Sequence, residues 1–123
     1  MSAPASVPAR HIRTIRLENG LDLIVTDRTR HYFGGYLVVR LELACEVPLE
    51  ERFIPAELCR QASARLRRVV FTRVLEKMGV LAADAGGVAE RLLADFLSNS
   101  GRYLSSPAFP EKLVRRELEK ARR

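Results

Sequence analysis

Arg13-Thr-Ile-Arg-Leu17-Glu-Asn-Gly-Leu21-Asp-Leu-Ile-Val25 is the stretch that decides the fold. An Asn-Gly pair stands between two runs of alternating apolar and polar residues, the pattern of a β-hairpin with one buried face. Loop length then selects the buried residues. A two-residue Asn19-Gly20 loop would set Leu17 against Asp22 and Arg16 against Leu23, so apolar residues on one arm would meet polar ones on the other. Side chains alternate faces with period two, and that register wastes the burial of both arms. A three-residue loop, Glu18-Asn19-Gly20, sets Leu17 against Leu21, Ile15 against Leu23 and Arg13 against Val25. This predicts a type I turn closed by a G1 bulge, in which Gly20 takes positive φ without steric cost.

A third run, Tyr36-Leu-Val-Val-Arg-Leu-Glu-Leu43, places Leu37, Val39, Leu41 and Leu43 on one face and Tyr36, Val38, Arg40 and Glu42 on the other. The three runs read as an antiparallel meander over about 11–17, 21–28 and 36–46, with one clearly apolar face. The opposite face is mixed. Thr14, Arg16, Asp22, Thr26, Arg40 and Glu42 make it wet, while Ile24, Tyr36 and Val38 form an apolar strip. Such a strip is covered either by the chain's own loops or by a partner.

Beyond Pro48, Pro55 is placed to open a helix over about 55–65 through Leu58, Cys59 and Ala62. Two patterns then compete. Val69-Val-Phe-Thr-Arg-Val74 is dense in β-branched and aromatic residues and predicts a fourth strand over about 67–76. Leu58, Ala62, Leu66, Val70, Val74 and Met78 also keep a spacing of four, which suits one continuous helix. The β-branching favours the strand. Asp84 is placed to cap a helix over about 85–100 that ends near Asn99 to Gly101. Pro110 opens a last helix over about 110–121, with Glu111 and Arg115, and Glu119 and Arg123, as i,i+4 pairs. The expectation is an α+β domain over 10–123, a sheet of three or four strands packed on one face by two or three helices. Residues 1–9, rich in Ala, Pro and Ser, are expected to form a flexible tail.

A chain of 123 residues can bury about two-thirds of its unfolded surface in one core. Cys45 and Cys59 lack the spacing of a zinc site or a disulfide framework and are expected to be reduced and buried. The N-terminal residues lack the basic flank and apolar core of a signal peptide, and no run suits a membrane span, so a soluble cytoplasmic protein is expected. Residues 1–54 carry seven Lys/Arg and seven Asp/Glu, and residues 55–123 carry fourteen and eight. The whole net charge of +6 therefore lies in the second part. Arg60, Arg65, Arg67, Arg68 and Arg73 form its sharpest feature, a run free of acidic residues between Glu57 and Glu76.

That run could contact phosphates, although a fourth strand would send Arg67 and Arg73 to one face and Arg68 to the other. The segment Arg28-Thr-Arg-His31-Tyr32-Phe33-Gly-Gly35 mixes cations with aromatics, the ingredients for stacking on unpaired bases through His31, Tyr32 and Phe33. The plainer reading is a wide connection between strands whose aromatics fold back onto the core. His11 and His31 have no metal-ligand spacing, so no metal or cofactor is expected. Gly86-Gly87 precedes a helix but lacks the pattern of a phosphate loop, and Ser63 and Ser98 to Ser100 have no nucleophile motif around them. Cys59 beside Arg60 reads as a core residue rather than a reactive thiol. No catalytic constellation is recognisable. The sequence favours a non-enzymatic protein-interaction domain, self-associating as a homo-oligomer or binding another protein through Ile24, Tyr36 and Val38. The alternative is a nucleic-acid binder using the arginines and the Tyr32-Phe33 loop.

Overall fold

The computed structural model describes the backbone of residues 10–122 and the side chains of residues 13–122. The tail expected over 1–9, the side chain of His11, and the Arg123 partner of Glu119 lie outside the described residues.

The first hairpin has the register that its alternation demands. Strands β1 (Arg10–Arg16) and β2 (Asp22–Asp27) pair antiparallel, with Arg13 opposite Val25 and Ile15 opposite Leu23. The Leu17 N–H donates to the Leu21 carbonyl at 2.8 Å and the Gly20 N–H to the Leu17 carbonyl at 2.9 Å, while Gly20 holds φ +92°. This is the bulged three-residue turn, and Leu17 and Leu21 are both buried because of it.

The segment after β2 departs from the wide loop expected there. Strand β3 (Arg30–Phe33) continues β2 beyond a break at Arg28-Thr29 and pairs with the start of β4 (Tyr36–Glu46). Register against β4 runs unbroken across that break, with Asp27 opposite Leu41 and Arg30 opposite Val38. Asp27 Oδ1 accepts the Thr29 N–H at 2.8 Å, and Thr29 Oγ1 accepts the Arg40 N–H at 3.3 Å, so side chains hold the interruption. A Gly34-Gly35 turn with Gly34 at φ +57° then joins β3 to β4, the positive φ at its first central residue suiting a type II′ hairpin. Tyr32 and Phe33 are exposed at this tip and do not fold onto the core.

Helix α1 (Ala56–Arg65) follows, with Pro55 in the capping position rather than inside the helix. Leu66 leaves it with φ −121° and ψ 139°, and strand β5 (Val70–Leu81) runs antiparallel along the whole of β4. The strand therefore prevails over one continuous helix and extends five residues past the expected end. Met78-Gly79 bulges between the pairs Val39 with Lys77 and Leu37 with Val80, and Gly79 takes φ +71° there.

After a turn of 3-10 helix at Ala82–Asp84 come α2 (Ala85–Ser105) and α3 (Phe109–Ala121). Asp84 occupies the cap position of α2, but its side chain makes no capping bond. Contrary to expectation, α2 passes straight through Asn99-Ser100-Gly101, because Leu93, Phe96 and Leu104 share one buried face along it. Leu104 is fully buried, and a helix ending at Gly101 would forfeit roughly 1.5–3 kcal/mol of side-chain burial.

The sheet is antiparallel, ordered β1, β2, β4, with β3 on the same edge of β4 as β2 and β5 on the other edge. Leu23, Val25, Leu41, Leu43 and Cys45 face a core completed by Leu58 and Ala62 of α1, Leu93, Phe96 and Leu104 of α2, and Phe109, Leu113 and Leu118 of α3. Phe109 lies at its centre, edge-on to Phe71 at 6.0 Å and to Tyr103 at 5.2 Å. All three helices thus lie on one side of an α+β fold, and none of the described helices covers the other side. No helix among the described residues is long and apolar enough to cross a membrane.

Candidate functional site

The uncovered sheet face is built in rows by strand pairing. From the first hairpin outward they run Thr14, Ile24, Ala44 and Thr72; then Thr26, Glu42 and Val74; then Arg40 and Glu76; then Arg30 and Val38; then Tyr36 and Leu81. Successive rows are about 7 Å apart, since side chains return to one face every second residue.

This order divides the apolar strip expected from the sequence. Ile24 is half-buried and lies three rows, about 20 Å, from Val38. The intervening rows carry an ion network in which Glu42 accepts from Arg28 at 3.2 Å and Arg40 at 3.3 Å, and Glu76 accepts from Arg40 at 3.0 Å. The bond to Glu76, opposed by partial desolvation and aided by Glu42, raises the Arg40 pKa above its ordinary value. Tyr36 and Val38 instead belong to a patch at the far end of the sheet. Val38 is buried at the level of the sheet, and Tyr36 (44 % exposed), Met78 (56 %) and Leu81 (49 %) stand around it, while exposed Val74 lies apart, beyond the Arg40–Glu76 row. Tyr32 and Phe33 extend the patch at the β3–β4 tip, and His31 is exposed beside them.

Met78 and Leu81 are absent from the sequence-derived surface because the strand was expected to stop at 76. Alternation continued past that point would have found Met78, and the Gly79 bulge would still have obscured Leu81.

The structure separates the five arginines. Arg60 pairs with Glu57 on α1, and Arg68 donates to Glu46 at 2.9 Å, a bond that raises its pKa. Arg73 lies over the rings of Phe71 and Phe96, 5.6 Å from each, on the helix-covered side of β5. Arg65, the last residue of α1, and Arg67, in the connection from α1 to β5, are both exposed. That connection adjoins the Glu46 end of β4, while His31, Tyr32 and Phe33 adjoin its Tyr36 end. An 11-residue strand puts about 33 Å between the arginines and the aromatic tip.

One cavity of about 430 Å³ opens between the sheet and the start of α2, with Val25, Leu41 and Leu93 in its wall. The Arg13–Glu90 ion pair, at 2.6 Å, spans its rim, and Asp27 beside it already accepts the Thr29 N–H. Neither thiol is placed there. Cys45 is fully buried in the core, where desolvation, followed by the charge of Asp22, pushes its pKa up to about 11. Cys59 is only half-buried, rather than buried as expected, and its Sγ donates to the Leu49 carbonyl at 2.9 Å.

Comparison of the chain with protein families, with curated proteins and with solved structures finds no match in any of the three.

Proposed function

We propose that this domain is a non-enzymatic interaction module that self-associates through its uncovered sheet face. The observation behind the reading is the gathering of Tyr36, Met78 and Leu81, each 44–56 % exposed, around Val38 on a face that none of the described helices covers. Neighbouring apolar side chains of this size on a sheet face gain free energy when a partner removes them from water, at roughly 25 cal/mol per Å². The charged rows beside them, with both signs present, supply orientation rather than bulk affinity. Sedimentation velocity at tens of micromolar should give a dimer or larger species that Met78→Glu dissociates. A monomer at that concentration sinks the reading.

A second reading, nucleic-acid binding, has one observation in its favour. Arg65 and Arg67 are exposed within three residues of chain and make no ion pair with any described carboxylate. It predicts retention on an oligonucleotide column with log K falling by about 0.7–0.9 per phosphate contact as log salt rises. Passage straight through the column at low salt removes it.

A further inference from the structure

Strand β5 spends one edge on β4, and along its other edge none of the described strands pairs with it. Twelve residues of ladder-forming backbone are thereby left as a template for another strand. We infer that the partner is a second copy of β5, paired antiparallel about a two-fold axis that passes through Val74.

The register follows from geometry and charge. Two identical edges paired in one sheet require an axis normal to that sheet, which keeps uncovered face beside uncovered face. Each even-numbered residue of β5 then meets an even-numbered one, and each odd an odd. An axis at Arg73 opposes two arginines, one at Glu76 opposes two glutamates, and one at Leu75 sets Arg73 against Lys77. Like charges directly opposite destabilise a sheet. An axis at Thr72 avoids such contacts but pairs only Val70 to Val74 within the strand.

An axis at Val74 opposes no like charges and pairs Val70 through Met78, ending where the Gly79 bulge deflects the backbone. On the uncovered face it sets Val74 against Val74, Thr72 against Glu76 and Val70 against Met78, so each copy's Met78 gains an apolar neighbour across the seam. On the helix side it sets Lys77 against Phe71 and Leu75 against Arg73, so each cation meets an apolar neighbour. The inference rests on the self-association proposed above and names its surface.

Cross-linking tests it in the full chain carrying Cys59→Ser, where the remaining thiol, Cys45, is fully buried. Mild oxidation of Val74→Cys should give a disulfide-linked dimer. Thr72→Cys and Glu76→Cys should each cross-link weakly alone and strongly when mixed, because residue 72 of one copy faces residue 76 of the other. Val74→Lys, at a half-exposed position, should keep the thermal unfolding midpoint while weakening association at least tenfold in sedimentation. A wild-type dimer that Val74→Lys leaves intact and that cross-links at none of these positions overturns the β5 pairing yet leaves self-association standing. A wild-type monomer overturns both, and strong homodimer cross-linking at Thr72→Cys moves the axis off Val74 and overturns this register.

Discussion

The side-chain amide of Asn19 donates to the carbonyl oxygen of Leu104 at 2.7 Å, tying the first hairpin's turn to the last turn of α2. The same nitrogen donates to the Ser106 carbonyl at 2.9 Å, and Asn19 Oδ1 accepts the Leu21 N–H at 3.1 Å. Asn19 is thus both a turn residue and the cap of a distant helix end, whose last carbonyls have no partner within the helix.

Asn19→Ala should therefore cost more than a turn substitution alone. Two cross-links to α2 and one bond within the turn are lost, and at about 1 kcal/mol per bond the expected loss is roughly 2–3 kcal/mol in urea unfolding. Asn19→Asp should be no milder, since its carboxylate would face two carbonyl oxygens. A loss below about 0.5 kcal/mol for both variants would show that the tie carries no stability.

Two glycines should respond with opposite signs to alanine. Gly20 sits at φ +92° with room for a methyl group beside Phe53, so Gly20→Ala should lose about 1–2 kcal/mol to backbone strain alone. Gly101 lies inside α2, where an added Cβ meets only Leu97 carbons at 3.7 Å and 3.8 Å, an ordinary contact. Gly101→Ala should gain about 0.5–1 kcal/mol from helix propensity. Chemical denaturation of the pair checks the sign, and destabilisation by Gly101→Ala would contradict a helix that passes through this point.

Phe109→Ala should be among the most damaging substitutions. Its ring is fully buried between Phe71 and Tyr103, and removing it leaves a cavity under the sheet worth about 3–5 kcal/mol. Thermal unfolding of this variant should begin well below that of the parent, and an unchanged midpoint would displace Phe109 from the core.

Cys45 predicts an alkaline limb in stability. Burial raises its pKa from 9.0 to about 11, so the folded state holds the thiol proton more tightly than the unfolded state. Stability from this group is complete below about pH 8 and is lost as pH climbs from about 9 to 11, at most about 2–3 kcal/mol in all. Cys45→Ala should lower stability at pH 7 and flatten the slope across that window when compared with the parent. An identical slope in both would assign the alkaline loss to other groups.

The sequence by itself determined the first hairpin and the type of most elements. Period-two alternation leaves only one loop length that buries Leu17, Leu21, Leu23 and Val25 together, and the turn has that length. It could not choose between helix and strand over 66–78 from spacing, because residues four apart share a face in both. Val70 and Val74 lie on one face of β5 just as Leu58 and Ala62 lie on one face of α1. Strand β3 left no trace of its own because all four of its residues are exposed, so no apolar alternation marks it. Only tertiary structure decided the rest, for interactions far apart in the chain govern it. Burial of Leu104 and the reach of Asn19 carry α2 past Gly101, and the aromatic rings of Phe71 and Phe96 draw Arg73 away from the other arginines. The ladder between β4 and β5 likewise places Met78 and Leu81 beside Tyr36, a neighbourhood that no local pattern could specify.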